Sequence, residues 1–290
     1  MKKILSFSIF AGLFILLFTS CKPQEMEMNV FNFNEIYPLT ADTALGALSF
    51  EAEVELPVKF RDNDILKNVQ KQIIAKIFGE IYNSMPLDSI LPKYALVLSN
   101  EYKRSNEPFL QKIIEAKEPS GIWQNQIQVQ GVAMYLDDKI LSYSYERYAY
   151  MGGAHGNSSR LFYNFDLNNA KLLLEKDLFI DNYQNSLTQL IKQQIVEDNA
   201  EMESVADLNE FHFFEDQIKP NNNFYVNADG LVYVYNPYDI APYSTGQTEV
   251  TLTFERLKPI LKPNNALAYF YNIQGSWTSN SLSFFSIIYS

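Results

Sequence analysis

The sequence predicts an α+β fold of two units, each with a helix packed on a mainly antiparallel sheet. Three observations predict it. Short runs of strict apolar–polar alternation mark half-buried strands, and longer runs with apolar residues at helical spacing mark amphipathic helices. The order strand, helix, hairpin strands occurs twice along the chain, although the halves share no sequence repeat. Hydrophobic residues make up 47% of the 290, with 19 Tyr and 21 Phe, which suits a globular chain rich in sheet.

Lys2 and Lys3 lead into an uncharged run, Ile4 to Phe18. That run is shorter than the ~20 residues of a spanning helix and has the flanks of a signal-peptide core. It ends in Phe18-Thr19-Ser20-Cys21, which resembles a lipobox: a bulky apolar residue, two small ones, then cysteine. The expectation is cleavage after residue 20 and acylation of Cys21, the sole cysteine, with an ordinary secretory leader or an uncleaved anchor as the alternatives. An acylated Cys21 leaves no thiol for disulfides or cysteine metal sites. It would anchor the chain by lipid in the cell envelope, at the outer membrane or the periplasmic face.

Residues 21–45 hold Pro23 and Pro38 with few periodic apolars, and are expected to be a tether. Phe50, Ala52, Val54, Leu56 and Val58 alternate with three glutamates and Pro57, a strand with an acidic outer face and a proline at its end or edge. Ile65 to Tyr82 repeats apolar residues at helical spacing, with Asp62 or Asn63 as cap. A second helix is expected from about Pro92, tolerable in a first turn, to Lys117, broken near Pro108. Ile127 to Tyr135 and Leu141 to Tyr145 alternate around Asp137-Asp138, a hairpin. A glycine-rich turn follows, and Leu161, Tyr163 and Phe165 resume a strand that runs to a turn at Asn168-Asn169. Leu187, Leu190, Ile191 and Ile195 make an amphipathic helix face, Tyr225 to Tyr235 a hairpin around Asn227–Gly230, and Val250, Leu252 and Phe254 a last strand. The expected division is 46–150 and 151–262, with a tail, 263–290, that carries no charge after Lys262 and ends in an apolar stretch.

Net charge is −11, and becomes −13 once residues 1–20 are removed. Such acidity disfavours nucleic acid, whose binding rests on basic residues meeting phosphates, and suits a cationic protein partner. His155 lies in Met151-Gly152-Gly153-Ala154-His155-Gly156, either as a ligand contact or as a hairpin corner that packs locally. A metal centre needs several ligands, and His212, between Phe211 and Phe213, reads as part of an apolar helix face. No metal or cofactor is expected. Pro237-Tyr238-Asp239-Ile240-Ala241-Pro242-Tyr243 sets two rings on a proline-stiffened loop, good interface anchors or a structural connection. No Gly-x-Ser-x-Gly elbow is present, and the glycines follow a strand rather than open a helix, so neither a hydrolase triad nor a phosphate cradle is expected.

Taken together, three segments resemble a known family: Tyr150 to Gly156; Asn164-Phe165-Asp166-Leu167 leading to Asp177-Leu178-Phe179; and Asn236 to Tyr243 before Gly246. Residues 45–262 are similar to the paired extracytoplasmic domains of unknown function found in RsiV-type anti-sigma factors and beside the deacetylase domain of PdaC-type proteins. The resemblance implies an α+β fold and, because RsiV-type domains bind lysozyme, a binding role. Sigma-binding and deacetylase segments have no counterpart in the sequence, so the expectation is a tethered, non-enzymatic binding lipoprotein for lysozyme or peptidoglycan. Its contacts would be Tyr238, Asp239, Pro242, Tyr243, Gly152, Gly153 and His155. A purely structural envelope lipoprotein and a glycan-active accessory enzyme are the alternatives.

Overall fold

The computed structural model describes residues 25–116 and 121–272. The expected leader, Cys21 and residues 273–290 of the tail lie outside the described residues.

From residue 25 the expected tether is not a tether. Met26 is buried in the core, and Glu27–Pro38 forms a strand, β1, paired antiparallel with β2 (Ala47–Lys59). Phe31, Phe33 and Tyr37 of β1 alternate onto the core, and the asparagines between them face outward. Pro57 lies where β2 has run past its other neighbour. The register with β1 slips there, so the missing N–H breaks no central ladder.

Helix α1 (Asn63–Ile77) starts as expected, with the Asp62 carboxylate accepting from the amides of Asp64 and Ile65. The next helix, α2 (Leu87–Asn106), begins five residues before Pro92, which therefore sits inside it rather than in the first turn. The break at Pro108 is present, and α3 (Leu110–Ala116) follows it. These helices form the crossover that parallel pairing requires: β3 (Gln124–Leu136) lies parallel to β2. Strands β4 (Ile140–Met151), β5 (Asn157–Asp166) and β6 (Lys171–Leu173) then add antiparallel, giving a six-stranded sheet in chain order. Its inner face, Phe50, Ala52, Val54 and Leu56 with Ile127 and Val129, packs on Val69, Ile73 and Ile74 of α1.

The expected division at 150/151 falls at the tip of the β4–β5 hairpin. Both strands lie in one sheet that continues to Leu173, so the glycine-rich segment is a turn and not a linker.

After α4 (Glu175–Leu178) and α5 (Gln184–Glu197), a three-stranded antiparallel sheet forms from β7 (Phe224–Val226), β8 (Gly230–Tyr235) and β9 (Thr248–Thr253). Phe254 does not continue β9. It opens the short helix α6 (Phe254–Leu257), capped by Thr253. Strand β8 is buried on both faces. Leu231, Tyr233 and Tyr235 meet Leu187, Ile191 and Ile195 of α5, and Val232 and Val234 meet Phe162 of β5. The small sheet therefore rides on the outer face of the large one. The described part of the tail docks rather than trails: α7 (Ala268–Asn272) sets Phe270 against Tyr135 of β3 and Phe254 of α6, and Tyr269 donates to Asp137 at 2.5 Å.

Asparagine side chains splice the two sheets. Strand β6 pairs only with Asn164–Asp166, so among the described residues the rest of that edge of β5 has no strand neighbour. Asn236 accepts from Arg160 N (2.7 Å) and donates to Arg160 O (3.1 Å). Asn223 accepts from Phe162 N (3.0 Å) and donates to Arg160 O and to Val234 O. Two amide groups thus do what a neighbouring strand would do for an exposed edge.

Candidate functional site

The turn between β4 and β5 and the loop after β8, distant in sequence, meet in space. The rings of His155 and Tyr243 stack with centroids 4.4 Å apart and planes 26° apart, and Tyr238 lies 5.5 Å from Tyr243. The Tyr243 hydroxyl donates to Gly156 O (3.1 Å), and His155 Nδ1 lies 2.9 Å from the same carbonyl, which makes that nitrogen the donor. Three exposed aromatic rings therefore form one ledge with a single backbone carbonyl at its root.

Local chemistry fixes each side of the ledge. Gly152 has φ 80, and a Cβ there would stand 2.1 Å from the carbonyl oxygen of Ile122. Gly153 is in open space, where a Cβ would come no nearer than 4.0 Å to any atom. Gly156 is buried against Tyr148, whose ring a Cβ would penetrate at 2.3 Å. On the other side Ile240 and Ala241 are buried and anchor the loop. Asp239 caps it: its carboxylate accepts from Asn236 N (2.7 Å) while its own amide donates to Asn236 O (2.9 Å). Pro242 precedes a turn in which Thr245 N donates to the Pro242 carbonyl (3.0 Å). Tyr238 is 56% exposed and has φ 74, a left-handed conformation that L side chains avoid.

Beside the ledge the large sheet keeps part of its outer face uncovered. Register places Asn32, Glu53, Gln130, Glu146 and Arg160 in one cross-strand row, and Asn34, Glu51, Gln128, Tyr148 and Ser158 in the next. Glu51, Glu53, Gln128, Gln130, Glu146 and Tyr148 line an open trough of about 270 Å³. Arg160, beyond Glu146 in the first row, makes an ion pair with Glu249 of β9 (3.2 Å). Tyr148 belongs to both features, since its ring faces the trough and backs onto Gly156.

Of the residues expected from sequence, His155, Tyr238 and Tyr243 come together as the ledge. Asp239, Pro242 and Gly152 shape its backbone, and Gly153 touches nothing that explains it. His212 lies on no helix face; it is exposed in a turn with φ 67. The trough was not anticipated, because its residues sit on separate strands and only the register joins them. The alternation of Glu51, Glu53 and Glu55 against an apolar face was the one signal of it. Among the described residues no group of three or more His, Cys, Asp or Glu could hold a metal, and no helix is long and apolar enough to cross a membrane.

Residues 47–158 match the family model described as deacetylase PdaC, and residues 176–255 match that of a protein of unknown function, DUF3298. His155 falls in the first match and Tyr243 in the second, so the ledge joins the two. The chain is similar to the crystal structure of a DUF3298 family member from Bacteroides fragilis, at 27% identity and a TM-score of 0.80 over 85% of this chain and 98% of that one. It shares the fold of a DUF3298 family protein from Pseudomonas aeruginosa, at 18% identity and a TM-score of 0.53 over 82% and 95%. No curated protein matches it. The paired-domain resemblance carried by the three segments is therefore shown.

Proposed function

We propose that this chain, a PdaC-type domain joined to a DUF3298 domain, is a binding protein of the cell envelope, anchored through Cys21, that recognises lysozyme or a cell-wall component. The carrying observation is the ledge of His155, Tyr243 and Tyr238 beside a trough lined by glutamates. Rings held by mutual stacking lose little freedom on binding, which is what an interface anchor requires. The carboxylates of an acidic body attract a cationic partner over a range set by ionic strength. Lysozyme is cationic, and a wall glycan offers hydroxyls to the carboxylate and amide groups of the trough and pyranose faces to the rings.

Calorimetry of the chain with lysozyme, at low and at physiological salt, tests the reading. Binding is expected at both, weaker at the higher salt. Tyr243→Ala is expected to weaken it by about 2 kcal/mol, the scale of an interface anchor. No heat with lysozyme or with soluble peptidoglycan fragments at either salt would remove the proposal.

A further inference from the structure

Strand β1 is the open edge of the six-stranded sheet, and among the described residues β2 is its only strand neighbour. It is 12 residues long and has no lysine; Glu27 opens it, and Glu35, opposite Phe50, lies on its core-facing side. Natural edges of this length are usually shielded by charge, proline, a bulge or a covering element. Here the slip lies at Met28 and the proline at Pro38, so both sit at the ends; between them the pairing with β2 is regular, and Glu35 is the one charge in that stretch. On the outer face Val30 and Ile36 are 51% and 55% exposed.

The outward-facing residues of that middle are nearly palindromic about Phe33, while on the core-facing side the same axis sets Phe31 opposite Glu35. The outward residues, in order, are Val30, Asn32, Asn34 and Ile36. If a second β1 runs antiparallel with Phe33 opposite Phe33, then Val30 faces Ile36, Asn32 faces Asn34, and the reverse pairs follow by symmetry. Antiparallel pairing must keep outward residues opposite outward residues, so register moves in steps of two. Shifting by one such step sets Val30 against Asn34 in one direction or Ile36 against Asn32 in the other, and either shift loses both Val30–Ile36 pairs. A two-fold interface is self-complementary by definition, and this strand satisfies that condition in one register.

We propose that β1 is a dimerisation strand: two copies of the chain join their β1 edges antiparallel about a two-fold axis at Phe33, making one continuous sheet of twelve strands. The new ladder ends at Pro38, which has no N–H to give. Each body is acidic, so repulsion opposes association and added salt favours it. Lysozyme binding is expected to weaken with salt, so the two events separate experimentally.

The test uses the whole chain in detergent. Sedimentation across a range of protein concentrations is expected to show monomer and dimer in exchange, with more dimer at higher salt. Mixing Asn32→Cys chains with Asn34→Cys chains under mild oxidation is expected to give a crosslinked dimer that neither variant gives alone, because only the mixture sets the new thiols opposite each other. Cys21 is common to all three samples and cannot produce that difference. Val30→Lys with Ile36→Lys, both at exposed positions, is expected to raise the dimer dissociation constant about tenfold or more and leave circular dichroism unchanged. A monomer at every concentration, or a dimer that survives both lysines and gives no mixture-specific crosslink, would overturn the proposal.

Discussion

At the scale of single residues, Tyr238 is the most informative. A bulky side chain in the left-handed region costs about 1–2 kcal/mol, yet this ring is largely in solvent and gains little burial in return. Strain kept without a packing benefit points to a role outside the fold. Glycine would remove the strain and add about 0.5–1 kcal/mol of unfolded-state entropy. Tyr238→Gly is therefore expected to match or exceed the parent in urea stability, by up to about 1 kcal/mol, while binding lysozyme more weakly. A variant that is plainly less stable would show the ring to be structural. Residue types made the ledge half legible: a histidine among glycines and two tyrosines between prolines stand out in any reading. Their contact was not legible, because nothing local to either segment encodes a stack with a residue almost ninety positions away. Nor does sequence separate Gly152 from Gly153, since only the carbonyl of Ile122, on another element, makes a Cβ impossible at the first and harmless at the second.

Among the elements, α4 holds a buried carboxylate that ties two segments together. Glu175 accepts from Asn222 N (2.7 Å) and from the Tyr183 hydroxyl (2.9 Å), and its own amide donates to the Asn222 side chain (3.0 Å). Burial raises its pKa above the ordinary carboxylate value, although these hydrogen bonds oppose the shift. An acid with a raised folded pKa holds its proton more tightly when folded. Its contribution to stability is complete below the unfolded-state value and is lost as pH rises through the folded one. Between about pH 5 and about pH 8, urea unfolding of the parent should thus lose more stability than that of Glu175→Gln, which keeps an acceptor for Asn222 and never ionises. Equal losses would show that the carboxyl does not titrate in that window. Helices and hairpins were readable here because period and caps coincide, as at Asp62 and α1. Strand β1 escaped because asparagine, a poor strand former, separates its aromatic residues, and the core that rewards Phe31 and Phe33 comes from elsewhere in the chain.

For the molecule as a whole, the two sheets are bound too closely to melt apart. Phe162 packs on Val232 and Val234, Asn223 and Asn236 serve the edge of β5, and α7 touches both units. One calorimetric transition is expected, with calorimetric and van't Hoff enthalpies in agreement. Asn223→Ala, which leaves Phe162 N–H buried without an acceptor, should cost about 1–3 kcal/mol. Two resolved transitions in the parent would contradict this coupling. The fold class and the order of elements could be read from periodicity, but the boundary could not. A run of glycines looks alike in a linker and in a hairpin, and only pairing with a third strand distinguishes them. The early start of β1 also sets a short leash. Met26 is already fixed in the core, so from an acylated Cys21 five extended residues reach about 18 Å at most. If Cys21 carries the proposed lipid, the body rests close against the headgroups, and the proposed partner would be met at the membrane surface.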